Sequence, residues 1–174
     1  MSTPTADYKF NQIGIRVSDL QRSLHFYQDV LGMKELGHME FDTIKIWFVG
    51  YPEKDAGAEG SATKNPVLAR EGVLELIWSE NSLKNITNAN DHPGFGLIKL
   101  CFTVPDISAC MKRMEDNGVK ILKQPGSPHG LDVAARAIGT EMPDQGKNQG
   151  LWTAVTRVGF VEDPDGYLVE IVQY

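Results

Sequence analysis

Two glutamates stand at the centres of short apolar runs: Glu75 in Val73-Leu74-Glu75-Leu76-Ile77-Trp78 and Glu170 in Tyr167-Leu168-Val169-Glu170-Ile171-Val172. Both runs have strand composition and are bounded by turn-forming or charged residues. A carboxylate among such neighbours costs several kcal/mol to keep ionised unless it is paired, hydrogen-bonded or metal-bound. One such glutamate reads as an edge residue facing water. Two in matching positions read as a site. Gln12, Glu75 and Glu170 make a hard-oxygen set suited to a divalent ion with bound waters, zinc included. Such an ion polarises a substrate carbonyl while a carboxylate moves a proton.

The elements that must position these groups follow a pattern. Gln12-Ile13-Gly14-Ile15-Arg16-Val17 alternates, so Gln12 and Arg16 share the face opposite the Ile/Val side. Ser18-Asp19 reads as a helix start, with Leu20, Leu24, Tyr27 and Leu31 at helical spacing and Gly32 as the stop. Strand-like pieces follow at Met33 to Leu36, Thr43 to Tyr51 and Val73 to Trp78. The pattern then restarts. Lys99 to Val104 alternates, placing Lys99, Cys101 and Thr103 on one face, and Pro105-Asp106 opens a helix. Ile107, Cys110, Met111 and Met114 form its apolar stripe, and Gly118 closes it. Strands are expected around Val119 to Leu122, Ala154 to Val161 and Tyr167 to Val172, with a long loop, Pro125 to Leu151, between them.

The two halves keep step. Gln12 lies seven residues before Asp19, and Lys99 lies seven before Asp106. Each half ends in a strand with one central glutamate, so the chain reads as an internal duplication. The expected fold is α+β: two βαβββ modules, 8–80 and 94–174, forming a curved mixed sheet around a cleft within one 1–174 domain. Four polar groups, Gln12, Lys99, Glu75 and Glu170, converge in that cleft. His25 is expected on the surface, His129 is a candidate lid residue, and Cys101 reads as a small inward residue rather than a nucleophile.

The residues FNQIGIRVSDLQRSLHFYQDVLGM, WFVGYPE, LAREGVLELI, PGFG, FTVPDISACMKRMEDNGVK and FVEDPDGYLVEIV resemble the glyoxalase I (lactoylglutathione lyase) branch of the vicinal oxygen chelate superfamily, over nearly the whole chain. The resemblance implies paired βαβββ modules, a homodimer, and zinc or nickel held by four ligands. It carries Gln12, Glu75 and Glu170 onto three ligand positions, Glu170 onto the proton-moving carboxylate and Arg16 onto a contact with the glutathione carboxylate. The fourth ligand would be His, but Lys99 occupies that position when counted from Val104-Pro105-Asp106, and Leu97 when counted from Gly94-Phe95-Gly96. His92 is off both registers. An arginine expected before Gly94 is Pro93, and Ile77-Trp78-Ser79 replaces a polar run, so the glutathione pocket departs from the pattern as well.

An ammonium among metal ligands repels a divalent cation. Three readings of Lys99 follow. It replaces the metal as the electrophile that holds a developing enolate oxygen, with Glu170 or Glu75 as the base. Otherwise it swings aside from a three-ligand metal site, or it forms an inert ion pair. Arg16, Trp78, Cys101 and Phe95 are the candidate substrate contacts.

The function expected is a glyoxalase-like lyase or isomerase acting by enolisation on a small molecule, turned from glutathione substrates toward an isomerase or cyclase step in a biosynthetic pathway. The alternatives are an authentic lactoylglutathione lyase with an altered metal site and a sequestering protein without chemistry. Across 174 residues the net charge is −6 with no Lys/Arg block, against nucleic acid or an anionic membrane as partner. Two cysteines suggest neither a disulfide framework nor a zinc cluster, and a cytoplasmic location is expected.

Overall fold

The structure, a computed structural model, describes residues 5–6, 8–52, 67–68, 70–80, 96–140 and 148–174. The chain divides into two compact units, Met1–Lys84 and Asn85–Tyr174.

In the first unit β1 (Gln12–Arg16) leads to α1 (Leu20–Leu24), which runs on as a π-helical turn, His25–Val30, before β2 (Lys34–Glu40), β3 (Ile44–Gly50) and β4 (Val73–Ser79). Asp19 caps α1, its side chain accepting from the Arg22 N–H at 3.0 Å. The Leu31 N–H reaches back to the Phe26 carbonyl at 3.0 Å, the wider spacing of a π turn, which keeps Phe26, Tyr27 and Val30 buried. Gly32, at φ 82°, ends the helix where a side chain would be strained. The strands form a sheet in the order β1-β4-β3-β2, with β1 parallel to β4 and the other pairs antiparallel.

The second unit repeats this arrangement. It holds β5 (Leu100–Val104), α2 (Ile107–Asp116), β6 (Ile121–Lys123), α3 (Leu131–Ile138), α4 (Gln149–Thr156), β7 (Gly159–Glu162) and β8 (Leu168–Gln173). The sheet order is β5-β8-β7-β6, again with the first strand parallel to the last. Asp106 caps α2 through the Ala109 N–H at 2.9 Å, and Ile107, Met111 and Met114 are its buried face. The sequence-based duplication of helix caps, closing glycines and strand order is thus present in the fold.

The stretch between β6 and β7 departs from expectation. The expected loop, 125–151, carries α3 and the start of α4, and the strand expected from Ala154 begins only at Gly159. Trp152 and Val155, three residues apart, both turn inward as a helix requires. They join Ala134, Ala135, Phe160 and Leu168 in one buried cluster. Small alanines carry that packing, so the segment lacks the bulky apolar stripe that marks α2. Among the described residues no helix is long and apolar enough to cross a membrane.

Candidate active site

On the first sheet, strand pairing sets Gln12 opposite Val73 and Gly14 opposite Glu75. The Gln12 Nε2 donates to Glu75 Oε2 at 2.9 Å. Its other amide atom, Oε1, is buried and has no hydrogen-bond partner among the described residues. Gly14 makes this approach feasible, since a Cβ there would stand 3.1 Å from Glu75 Oε2. Arg16, two residues on, shares the Gln12 face and is exposed. Trp78 is half-buried and lies three residues from Glu75 on a regular strand, so it points to the opposite face with Leu74 and Leu76.

On the second sheet the matching pair is Lys99 and Glu170. Lys99 directly precedes β5, and its Nζ donates to Glu170 Oε2. The carboxylate is 12% exposed and the lysine 37%. Lys99, the register that spacing from the helix cap favours over Leu97, is thus the residue that meets the glutamate. Cys101 lies across from Glu170 on β5, and Phe160 lies across from it on β7. The Cys101 thiol is pushed up to about 11, first by burial, then by the Glu170 carboxylate beside it, with Lys99 pulling the other way. At pH 8 a thiol so shifted holds about 100-fold less thiolate than an ordinary one. Iodoacetamide should therefore label Cys101 about 100-fold more slowly in the native protein than in urea, as read by peptide mass spectrometry. Equal rates would show that the thiol is unperturbed.

Sequence reasoning missed two features here. Leu168 and Phe160 share the Glu170 face by strand alternation, and both pack into the cluster with Trp152, Ala134 and Ala135. The α3–α4 insertion thus builds an apolar wall on the carboxylate's side of the sheet. The placing of Cys101 opposite Glu170 was missed because a cysteine in a strand gives no sign of its cross-strand neighbour. Of the remaining candidates, Trp152 is core at 6% exposed, and His25 is exposed with its Nδ1 2.9 Å from Asp29. The His129 backbone N–H donates to Ser127 Oγ at 3.0 Å. Phe95, His92 and Pro93 lie outside the described residues.

A metal in this family pattern would draw on Gln12, Glu75 and Glu170. The unpartnered Gln12 Oε1 beside a carboxylate suits a hard cation. Those are two donors, however, and zinc takes four. The second sheet supplies a carboxylate already occupied by an ammonium, which cannot ligate while protonated. Among the described residues no cluster of three or more His, Cys, Asp or Glu side chains could hold an ion. The donor set does not fit the four-ligand zinc or nickel site implied by the resemblance.

Residues 9–171 match the family model described as Glyoxalase/Bleomycin resistance protein/Dioxygenase superfamily. A lactoylglutathione lyase of Pseudomonas aeruginosa is 34% identical over 97% of this chain and 84% of its own length. Glyoxalase I of Saccharomyces cerevisiae is 28% identical over 94% of this chain but 44% of its own, so the chain spans less than half of that protein. Among solved structures, glyoxalase I of Leishmania major shares the fold, with a TM-score of 0.58 at 22% identity, covering 94% of this chain and 85% of that one. With the duplicated sheets and their paired glutamates in place, the chain belongs to the Glyoxalase/Bleomycin resistance protein/Dioxygenase superfamily.

Proposed function

We propose that the protein is a glyoxalase-like enzyme, a lyase or isomerase, that moves a proton between adjacent carbons of a small carbonyl substrate. One observation carries the proposal: the Lys99 ammonium sits on the Glu170 carboxylate where the family pattern calls for a metal ligand. Glu170 is the base. It takes the proton from the carbon beside the carbonyl, and the electron pair moves onto the carbonyl oxygen. Lys99 donates to that oxygen as its charge develops. Where the deprotonated carbon bears a hydroxyl, passing the hydroxyl proton to the former carbonyl oxygen and returning the abstracted proton to the neighbouring carbon exchanges the oxidation levels of the two carbons with no external oxidant.

The Pseudomonas aeruginosa relative, a lactoylglutathione lyase by name, supports this class of chemistry. Parting a lactoyl thioester of glutathione yields a 2-oxoaldehyde and a thiol, so methylglyoxal with and without glutathione is the first probe. The readout is deuterium from D2O appearing on the carbon next to the carbonyl, which reports enolisation whatever the final product. Lys99→Met should lower turnover about 10²-fold, the scale of losing one donor to a developing oxyanion. Added zinc or nickel should restore none of it. Parental turnover in Lys99→Met, or full rescue by metal, would sink the proposal.

A further inference from the structure

Between α3 and the β6–β7 edge of the second sheet lies a hollow of about 280 Å³. Glu162 and Leu168, which pair across β7 and β8, line it from the sheet. Leu168 bounds it toward Glu170 and is buried there against Phe160 and Trp152. Two ion pairs from different elements stand at the rim. On α3, Arg136 Nη2 is 3.7 Å from Asp132 one turn earlier, too far for a hydrogen bond. From the sheet side, Lys120, just before β6, meets Glu162 at 2.7 Å. The Glu162 N–H donates to the Lys120 carbonyl at 3.0 Å, which fixes that second pair in place. Leu122, Val133 and Ala137, all half-buried, give the hollow an apolar lining. Ala137 keeps it open, since a longer side chain there would take up the space.

We propose that this hollow binds a free α-amino acid with an apolar side chain, at a site separate from the Glu170 centre. Arg136 and Asp132 are 61% and 54% exposed, and a pair so exposed and so long is worth little to the protein. It opens readily. The ligand carboxylate then takes the guanidinium fork, whose planar donors match it, and the ligand ammonium takes Asp132. One loose pair is exchanged for two close ones, and no net charge enters the site. The apolar side chain covers Leu122, Val133 and Ala137. A carboxylate alone would leave Asp132 facing a like charge, and an amine alone would leave Arg136 so, which is how the site discriminates. Its volume is below that of pockets for drug-sized ligands, so it suits a single amino acid rather than a peptide.

Thermal unfolding of the full chain provides a readout independent of catalysis. The probes are leucine, methionine and phenylalanine, set against 4-methylpentanoate and 3-methylbutylamine, which each keep one of leucine's two charges. At least one amino acid should raise Tm saturably, by about 4 °C at about ten times its half-saturating concentration. The acid and the amine should each give less than about a quarter of that shift at equal concentration. Ala137→Leu, which fills the hollow, and Arg136→Met, which removes the fork, should both lose the shift. Arg136 is exposed, so its variant keeps the parental fold and the test stands even if Ala137→Leu disturbs packing. No shift with any of the three amino acids, an equal shift from the acid or the amine, or a shift that persists in Arg136→Met would overturn the proposal.

Discussion

Replacing Glu170 with glutamine lowers turnover by about 10³-fold, within the range for removing a general base, and leaves the fold intact. The amide keeps the volume of the side chain and can still accept from Lys99. It cannot take a proton from carbon. The side chain is 12% exposed and flanked by Phe160, so water is poorly placed to stand in for it. Deuterium incorporation and the circular dichroism spectrum of the variant check the two halves of the expectation. Native-like turnover would remove Glu170 from the mechanism. Loss of turnover together with loss of structure would mean that the Lys99–Glu170 pair serves the fold.

Replacing Lys123 with methionine destabilises the protein by about 3 kcal/mol, in the upper range for single substitutions. Lys123 is 2% exposed, a rare setting for a lysine. Its Nζ donates to the carbonyls of Gln124, Thr156 and Val158 at 3.0, 2.9 and 2.9 Å. Burial pulls its pKa below the ordinary lysine value, so those three acceptors are what keep a cation tolerable there. Thr156 ends α4, where a helix leaves its carbonyls without an intrahelical partner, and this one accepts from Lys123 and from the Gly126 N–H at 2.7 Å. Methionine fills the space and removes all three bonds, although the Thr156 and Gln124 carbonyls keep the Gly126 and Ser127 N–H groups. The expected readout is a lower urea midpoint at unchanged slope. Because Lys123 ties β6 to the α4–β7 junction, the loss should also loosen the wall that α3 and α4 build on the Glu170 face. A midpoint equal to the parent's would show that the three bonds contribute nothing net.

The sequence carried much of this site because its signals are local. Alternation in β1 and β5 put Gln12, Arg16, Lys99 and Cys101 on their faces, and a charge inside an apolar run marked Glu75 and Glu170. Spacing from the helix caps then placed Lys99 rather than Leu97, and the ion pair agrees. What was not legible depends on tertiary contact. α3 and α4 have eight residues each, too short to be stable alone, and lie in a glycine- and proline-rich stretch. They are helical because Ala134, Ala135, Trp152 and Val155 find Phe160 and Leu168 to pack on. Trp78 looked like a pocket residue by its nearness to Glu75 in sequence, but an odd offset along a strand reverses the face. The placing of Cys101 opposite Glu170 and the Gln12–Glu75 bond require knowing which strands pair and in what register.

The central claim is that Lys99 takes over the charge-stabilising task at Glu170, so turnover does not depend on a bound divalent ion. Metal analysis of the purified protein, followed by turnover before and after exhaustive chelation, tests this most directly. The account predicts zinc, nickel and manganese well below one per chain and a rate unchanged by chelation. One equivalent of any of these metals, with turnover lost on its removal and regained on its return, would contradict it.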